Sequence, residues 1–182
     1  MAATFSWDRD HGPATGSPAK GTTRSTGVTD VNWKNSDVEA DAYSSYPITD
    51  GNNSYENWLF GRFSGTYNQI SAGLFAHTSG TLGTGLTLKG PPACTGDSNR
   101  LLYTTPSTNA NSNLTTNMTS VIAIGSGVAV CFGATGPEAT GKAASTTANP
   151  AYTNYLTTQL QTSGAAAGDT ATVTLTLQYA EN

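Results

Sequence analysis

The feature that most constrains the fold is the last apolar run of the chain. From Thr172 to Tyr179, Val173, Leu175, Leu177 and Tyr179 alternate with Thr172, Thr174, Thr176 and Gln178. Successive side chains of an extended backbone point to opposite faces, so this order makes one apolar face and one wet face. Such a strand suits an antiparallel sheet, because parallel strands are covered on both sides. Composition extends the inference to the whole chain. There are 31 Thr and 17 Ser, so 48 of the 182 residues carry a small hydroxyl, and 20 more are Gly. All three types weaken helices, and Thr favours strands.

Strand and turn signals alternate from Tyr55 onward. Asn57–Gln69, Leu74–His77, Thr84–Lys89 and Leu101–Thr104 read as strands. Val121–Ile124 and Val128–Phe132 flank Gly125-Ser126-Gly127 as a hairpin. Tyr152–Gln161 and Thr170–Tyr179 read as two long strands joined by the loop Ser163–Asp169. The expected fold is all-β: an antiparallel β-sandwich, jelly-roll-like, over residues 31–182. Residues 1–30 read as an extended N-terminal arm, because Asp10–Gly27 has two prolines, four glycines and no apolar period. Phe5 and Trp7 stand out in that polar segment, and are the candidate anchors of the arm on a neighbour.

Charge excludes one large class of function. Eight basic residues against 12 acidic ones give a net charge of −4, with no basic run to follow a phosphate backbone. No membrane span is expected, since the densest apolar runs fall far short of the roughly 18 residues a spanning helix needs. The first ten residues have no basic stretch followed by an apolar core, so synthesis in a cytoplasm without secretion is the expectation. In that setting Cys94 and Cys131 are expected as free thiols, pairing only if the fold brings them together.

Several constellations carry a possible chemistry beside a plainer reading. Gly136-Pro-Glu-Ala-Thr-Gly141-Lys142 has phosphate-loop spacing, but Ala143 stands where a metal-holding hydroxyl is needed and Pro150 stops any long helix. It reads as a surface loop. Asp37, Glu39 and Asp41 would share one face of a strand and could bind calcium or supply a carboxylate pair; the plainer reading is a solvated edge. The aromatics Trp33, Tyr43, Tyr46, Tyr55, Trp58, Phe60, Phe63 and Tyr67 could stack on sugars, or could be core. His11 and His77 imply no pair, and no nucleophile elbow is present. The chain is therefore expected to have no catalytic, metal or cofactor-binding residues and no small-molecule substrate.

A set of short motifs then resembles a family. Val31-Asn-Trp-Lys-Asn35, Tyr46-Pro-Ile-Thr49, Gly51-Asn-Asn-Ser54, Phe60-Gly-Arg-Phe-Ser-Gly-Thr66 and Gln69-Ile-Ser71 occur in order. Tyr103-Thr-Thr-Pro106, Tyr152–Gln161 and Gly168–Tyr179 continue the series. Together they resemble small structural proteins of tailed bacteriophages. The resemblance implies a non-enzymatic virion component made in the host cytoplasm. A head decoration or cement protein fits best, partnered by the major capsid protein or other virion proteins and by further copies of itself. A tail, neck or fibre component is the alternative. A carbohydrate-binding or host-adhesion module is the rival from another class.

Overall fold

The computed structural model describes residues 2–139, 141–166 and 172–182. Parts of the loop Ser163–Asp169 and of the run from Thr170 lie outside the described residues, as does Thr140 of the Gly136–Lys142 motif. In chain order the strands are β1 (Ala3–Thr15), β2 (Lys20–Thr26), β3 (Trp58–Gly65), β4 (Ile70–Gly80), β5 (Leu86–Gly90) and β6 (Thr116–Asn117). They continue as β7 (Val128–Val130), β8 (Phe132–Gly133), β9 (Ser145–Thr146), β10 (Ala151–Thr153), β11 (Gln159–Thr162) and β12 (Val173–Glu181). A short 3-10 turn, Tyr43–Ser45, is the helical element among the described residues.

The fold is all-β and sandwich-like, with every strand pairing antiparallel. A five-stranded sheet has the order β2-β1-β3-β10-β8. A four-stranded sheet has the order β12-β4-β7, counted with β9, which also pairs with β4. A third sheet has the order β11-β5-β6. Phe63 and Phe132 from the five-stranded sheet meet Ile70, Phe75 and Val130 from the four-stranded one, with Leu88 and Leu160 from the third. The alternating face of β12 closes this core, as its sequence requires: Val173, Leu175, Leu177 and Tyr179 all pack against it.

The other face of the five-stranded sheet is covered too. Trp58, Phe60 and Tyr155 form a second buried cluster with Leu101, Tyr103 and Leu114, which arrive from the long connection between β5 and β6. Trp58 meets the Tyr103 and Tyr155 rings at centroid distances of 4.9 and 5.2 Å. Burial on both faces explains why β3 shows no clean alternation: Trp58, Leu59, Phe60 and Gly61 are all buried. Gly61 is required by contact. A Cβ there would lie 2.8 Å from the Phe5 ring and 3.2 Å from Leu177 Cδ2.

Four expectations are corrected. The arm expected over residues 1–30 is instead a hairpin of β1 and β2 inside the five-stranded sheet, so residue 30 marks no domain boundary. β1 pairs with β3 over Ala3↔Gly65 to Asp10↔Trp58, and with β2 on its other side. The missing apolar period misleads here because Asp8, Arg9 and Asp10 are buried as ion-paired groups rather than as apolar ones. Second, the expected strand Tyr152–Gln161 is divided into β10 and β11. Between them Asn154–Thr158 crosses from one sheet to another wholly buried, its amides bonded to Cys131 O, Leu59 O and Asn57 O.

Third, Val121–Ile124 and Leu101–Thr104 are not strands. Leu101 and Tyr103 are apolar because they seal the second cluster. Val121, Ile122 and Ile124 lie exposed. Fourth, Cys94 and Cys131 form a disulfide rather than two free thiols. The Cys94 amide donates to Ala129 O at 2.8 Å and lays the Pro91-Pro92 loop beside β7. That leaves the cysteine Cα atoms 5.6 Å apart, within bonding range.

Candidate functional site

Charge gathers at the middle of β1. Asp8 and Asp10 point to the face shared with Trp58 and Phe60, and Arg9 to the opposite face. Arg24 on β2 holds Asp10 with two hydrogen bonds of 2.6 and 2.8 Å, and its guanidinium lies 4.6 Å from the Phe60 ring centroid. Tyr155 donates its hydroxyl to Asp10. Burial pushes the Tyr155 hydroxyl far above its ordinary value, and the Asp10 charge adds to the shift. Arg62 pairs with Asp8 at 3.2 Å. These contacts fix the β1–β2 hairpin onto β3, and each carboxylate has a cation of its own.

The acidic cluster belongs to the same system. Residues 37–41 are irregular, so Asp37, Glu39 and Asp41 do not line one face of a strand. Arg9 pairs with Asp37 at 3.0 Å and with Glu39 at 2.5 Å, and the Gly12 amide donates to Asp37 at 2.6 Å. Burial pushes Asp37 above the usual carboxylate range against the pull of the Gly12 amide and Arg9. Asp41 accepts from Ser36, while the Lys34 ammonium donates to the Glu39 and Asp41 carbonyls. The calcium and paired-carboxylate readings are set aside, because the carboxylates of Asp37 and Glu39 are committed to Arg9. Among the described residues no group of three or more His, Cys, Asp or Glu is placed to hold a metal.

The segment Gly136–Lys142 has no helix among its described residues. The amides of Gly141 and Lys142, which a phosphate would need, each donate to Asp97 at 2.6 Å. The Lys142 amide and then that of Gly141 hold the Asp97 carboxyl below its ordinary value. The Lys142 side chain folds inward over Gly133, and its ammonium nitrogen is buried with no hydrogen-bond partner among the described residues. Desolvation lowers that amine to about 8. The segment is not simply a surface loop: Gly136, Pro137 and Lys142 are buried, and Gly141 is exposed.

Phe5 and Trp7, the candidate anchors, are half-buried against the chain's own core. Phe5 lies 5.1 Å from Phe63 and 5.0 Å from Trp7, centroid to centroid, and Trp7 lies 6.0 Å from Phe75. The apolar surface they bury holds β1 to the sandwich. Trp58, Phe60 and Phe63 are fully buried. Trp33 donates its indole N–H to Thr158 Oγ1 at 3.1 Å, and Tyr67 donates to Ala148 O at 2.7 Å. Tyr43 and Tyr46 remain exposed. His11 sits on β1 beside Ser25, and His77 is buried on β4 in another sheet.

What the surface offers is apolar rather than chemical. Ile124 is 81% exposed and Leu102 60% exposed. Val121 and Ile122, just before Ile124, are exposed, and so are Val38, Tyr43 and Tyr46. Two shallow clefts accompany them. One, of about 400 Å³, lies between the β1–β2 turn and Thr135, Glu138 and Ala139. The other, of about 440 Å³, is lined by Arg100, Leu102, Asn113 and Thr115 among others. No family model, curated protein or solved structure matches the chain.

Proposed function

We propose that this chain is a non-enzymatic structural component of a tailed-phage particle, a decoration or cement protein of the head. The ordered series of motifs from Val31 to Tyr179 supports the class of protein. The observation that carries the role is the outward display of Ile124, Leu102, Val121 and Ile122 on a surface poor in charge. Apolar side chains held out on loops favour coverage by a neighbour, where a few of them carry most of the binding energy. Repetition over a symmetric shell turns modest single contacts into firm retention. The contact surface in this reading is formed by loops of the sandwich. It is not a free N-terminal arm, since β1 and β2 belong to a sheet.

The test is co-sedimentation with preformed, expanded capsids lacking the protein. Wild-type chain is expected to pellet with them, and Ile124→Asp combined with Leu102→Asp to reduce the bound fraction at least tenfold without changing the melting temperature. Absence of wild-type binding to heads, with labelled protein found on tails or necks, moves the role to those parts of the particle. A glycan-binding reading is favoured by the exposed Tyr43 and Tyr46 rings, and it predicts glycan retention lost in Tyr43→Ala with Tyr46→Ala.

A further inference from the structure

β12 is the last strand of its sheet, so one of its edges has no neighbouring strand. The direction of its backbone groups follows from β4. The His77 carbonyl turns away from β12 and accepts from the Ile122 amide at 3.0 Å. Backbone groups alternate in direction along a strand, so Leu74 and Ala76 turn theirs toward β12, where they meet Gln178 and Thr176. Asn182, which exchanges two bonds with Gln69, keeps the same alternation. Leu175, Leu177 and Tyr179 therefore direct their N–H and C=O groups outward. Among the described residues no backbone group bonds to them there.

This edge lacks the usual guards against pairing. Both register shifts between β12 and β4 place the extra residue on β4, so β12 runs unbroken for nine residues, about 30 Å. It has no Pro, Lys or Arg. Its one charged residue, Glu181, turns its carboxylate back to accept from the Ala3 amide at 2.9 Å. The edge of β2, at the end of the five-stranded sheet, is shorter and carries Lys20 and Arg24. β12 also covers the core thinly. Val173, Leu175, Leu177 and Tyr179 are half-buried, while Ile70 and Phe75 on β4 are fully buried.

We propose that the outer edge of β12 binds an extended segment of another protein as an added strand. A row of unpaired N–H and C=O groups is complementary to a peptide backbone, and that pairing supplies the affinity. Apolar side chains at every second position of the segment complete the cover over Leu175, Leu177 and Tyr179, and so set its pattern. β12 offers no free charge to select a charged segment. The shape of the sandwich favours a lone strand over a second copy. β12 lies across from β1 and β3, with the Tyr179 ring 6.2 Å from Phe5 and 4.7 Å from Phe63, centroid to centroid. The five-stranded sheet continues one strand further, to β2. Two copies joined through β12 would bring their β1–β2 hairpins into the same space, whereas a single extended segment brings no second layer.

Amide exchange on the full ¹⁵N-labelled chain reads this edge residue by residue. In the free protein Thr176 and Gln178 are expected to be protected, and Leu175, Leu177 and Tyr179 to exchange at least about tenfold faster. The probe is a synthetic peptide of alternating valine and threonine, about nine residues long between terminal lysines. At about 1 mM it is expected to slow exchange at Leu175, Leu177 and Tyr179 at least tenfold. Methylating the peptide's backbone amides removes its donors and should weaken binding at least tenfold. No slowing at that concentration, slowing at β2 instead, or binding indifferent to methylation overturns the proposal. Protection of the three amides in the free protein also overturns it. If that protection rises with protein concentration, the occupant is a second copy; if it does not, the chain covers its own edge.

Discussion

Lys142 shows how far a single residue can depart from its sequence context. It sits in a Gly/Ala/Thr-rich stretch that reads as surface, yet it is 3% exposed, and its ammonium nitrogen has no hydrogen-bond partner among the described residues. Desolvation lowers the amine from 10.5 to about 8, so the folded state holds this proton less tightly than the unfolded chain does. Stability linked to Lys142 is therefore lowest below about pH 8 and rises as pH climbs toward the unfolded value. The expected gain is about 2 kcal/mol between roughly pH 7.5 and 9.5. Above that window the buried tyrosines oppose it, because burial raises Tyr103 and Tyr155 and so favours their protonated folded forms. Lys142→Met should raise the melting temperature at neutral pH and flatten the rise seen by denaturant titration across the window. A variant less stable than wild type at neutral pH would show that the ammonium has a partner after all. Gly61 makes the opposite case. Its missing side chain leaves the room that Phe5, Thr153 and Leu177 crowd into, so Gly61→Val is expected to destabilise by about 2 kcal/mol or more in chemical denaturation.

Elements are where the sequence is most and least legible. β12 can be read outright, because its alternation is set by one buried face and one wet face, and the core contacts match it. β1 cannot, because its buried centre is Asp8-Arg9-Asp10, and a charged triplet signals burial only once Arg24, Arg62, Asp37 and Glu39 are known to meet it. The triplet was still a clue, since alternating charge follows directly on Phe5-Ser6-Trp7 in an extended run. The buried link Asn154–Thr158 was hidden for a related reason: its polar residues have partners inside the protein, such as Asn154 Oδ1 accepting from the Cys131 amide. Deleting residues 1–30 removes a strand paired on both sides and strips Phe63 of its Phe5 contact. The truncated chain is expected to fail to fold, seen as loss of a cooperative melting transition. A truncated chain that still melted cooperatively would return these residues to the status of an arm. The Cys94–Cys131 disulfide closes a loop across a separation of 37 residues. Cys94→Ser with Cys131→Ser should cost about 4 kcal/mol by the loop-entropy argument. The comparison is an equilibrium unfolding curve beside the oxidised wild type, and overlapping curves would show that packing around β7 alone holds the loop.

At the scale of the whole molecule, burial sharpens a shortage of charge that composition already shows. The chain has 20 charged residues, and Asp8, Arg9, Asp10, Lys34, Glu56 and Lys142 are buried. At most 14 remain for 8459 Å² of surface, about one for every 600 Å². The hydroxyls of the Thr-rich outer face are partly turned on one another as well, with Thr78 bonded to Thr176 at 2.6 Å and Ser79 to Thr174 at 2.8 Å. A surface with few charges and outward Ile and Leu side chains resists association weakly, so the isolated chain is expected to self-associate. Sedimentation velocity over a hundredfold concentration range should give a mass above the 18.7 kDa of one chain. Ile124→Asp with Leu102→Asp should return it to that value with the fold intact. The two variants together separate the sources of association. If the doubly substituted protein stays associated, the contact lies elsewhere, and the outer edges of β2 and β12 become the next surfaces to block. If wild type is monomeric throughout, copies of this chain do not cover the apolar loops, and in the proposed role their occupant is the shell itself.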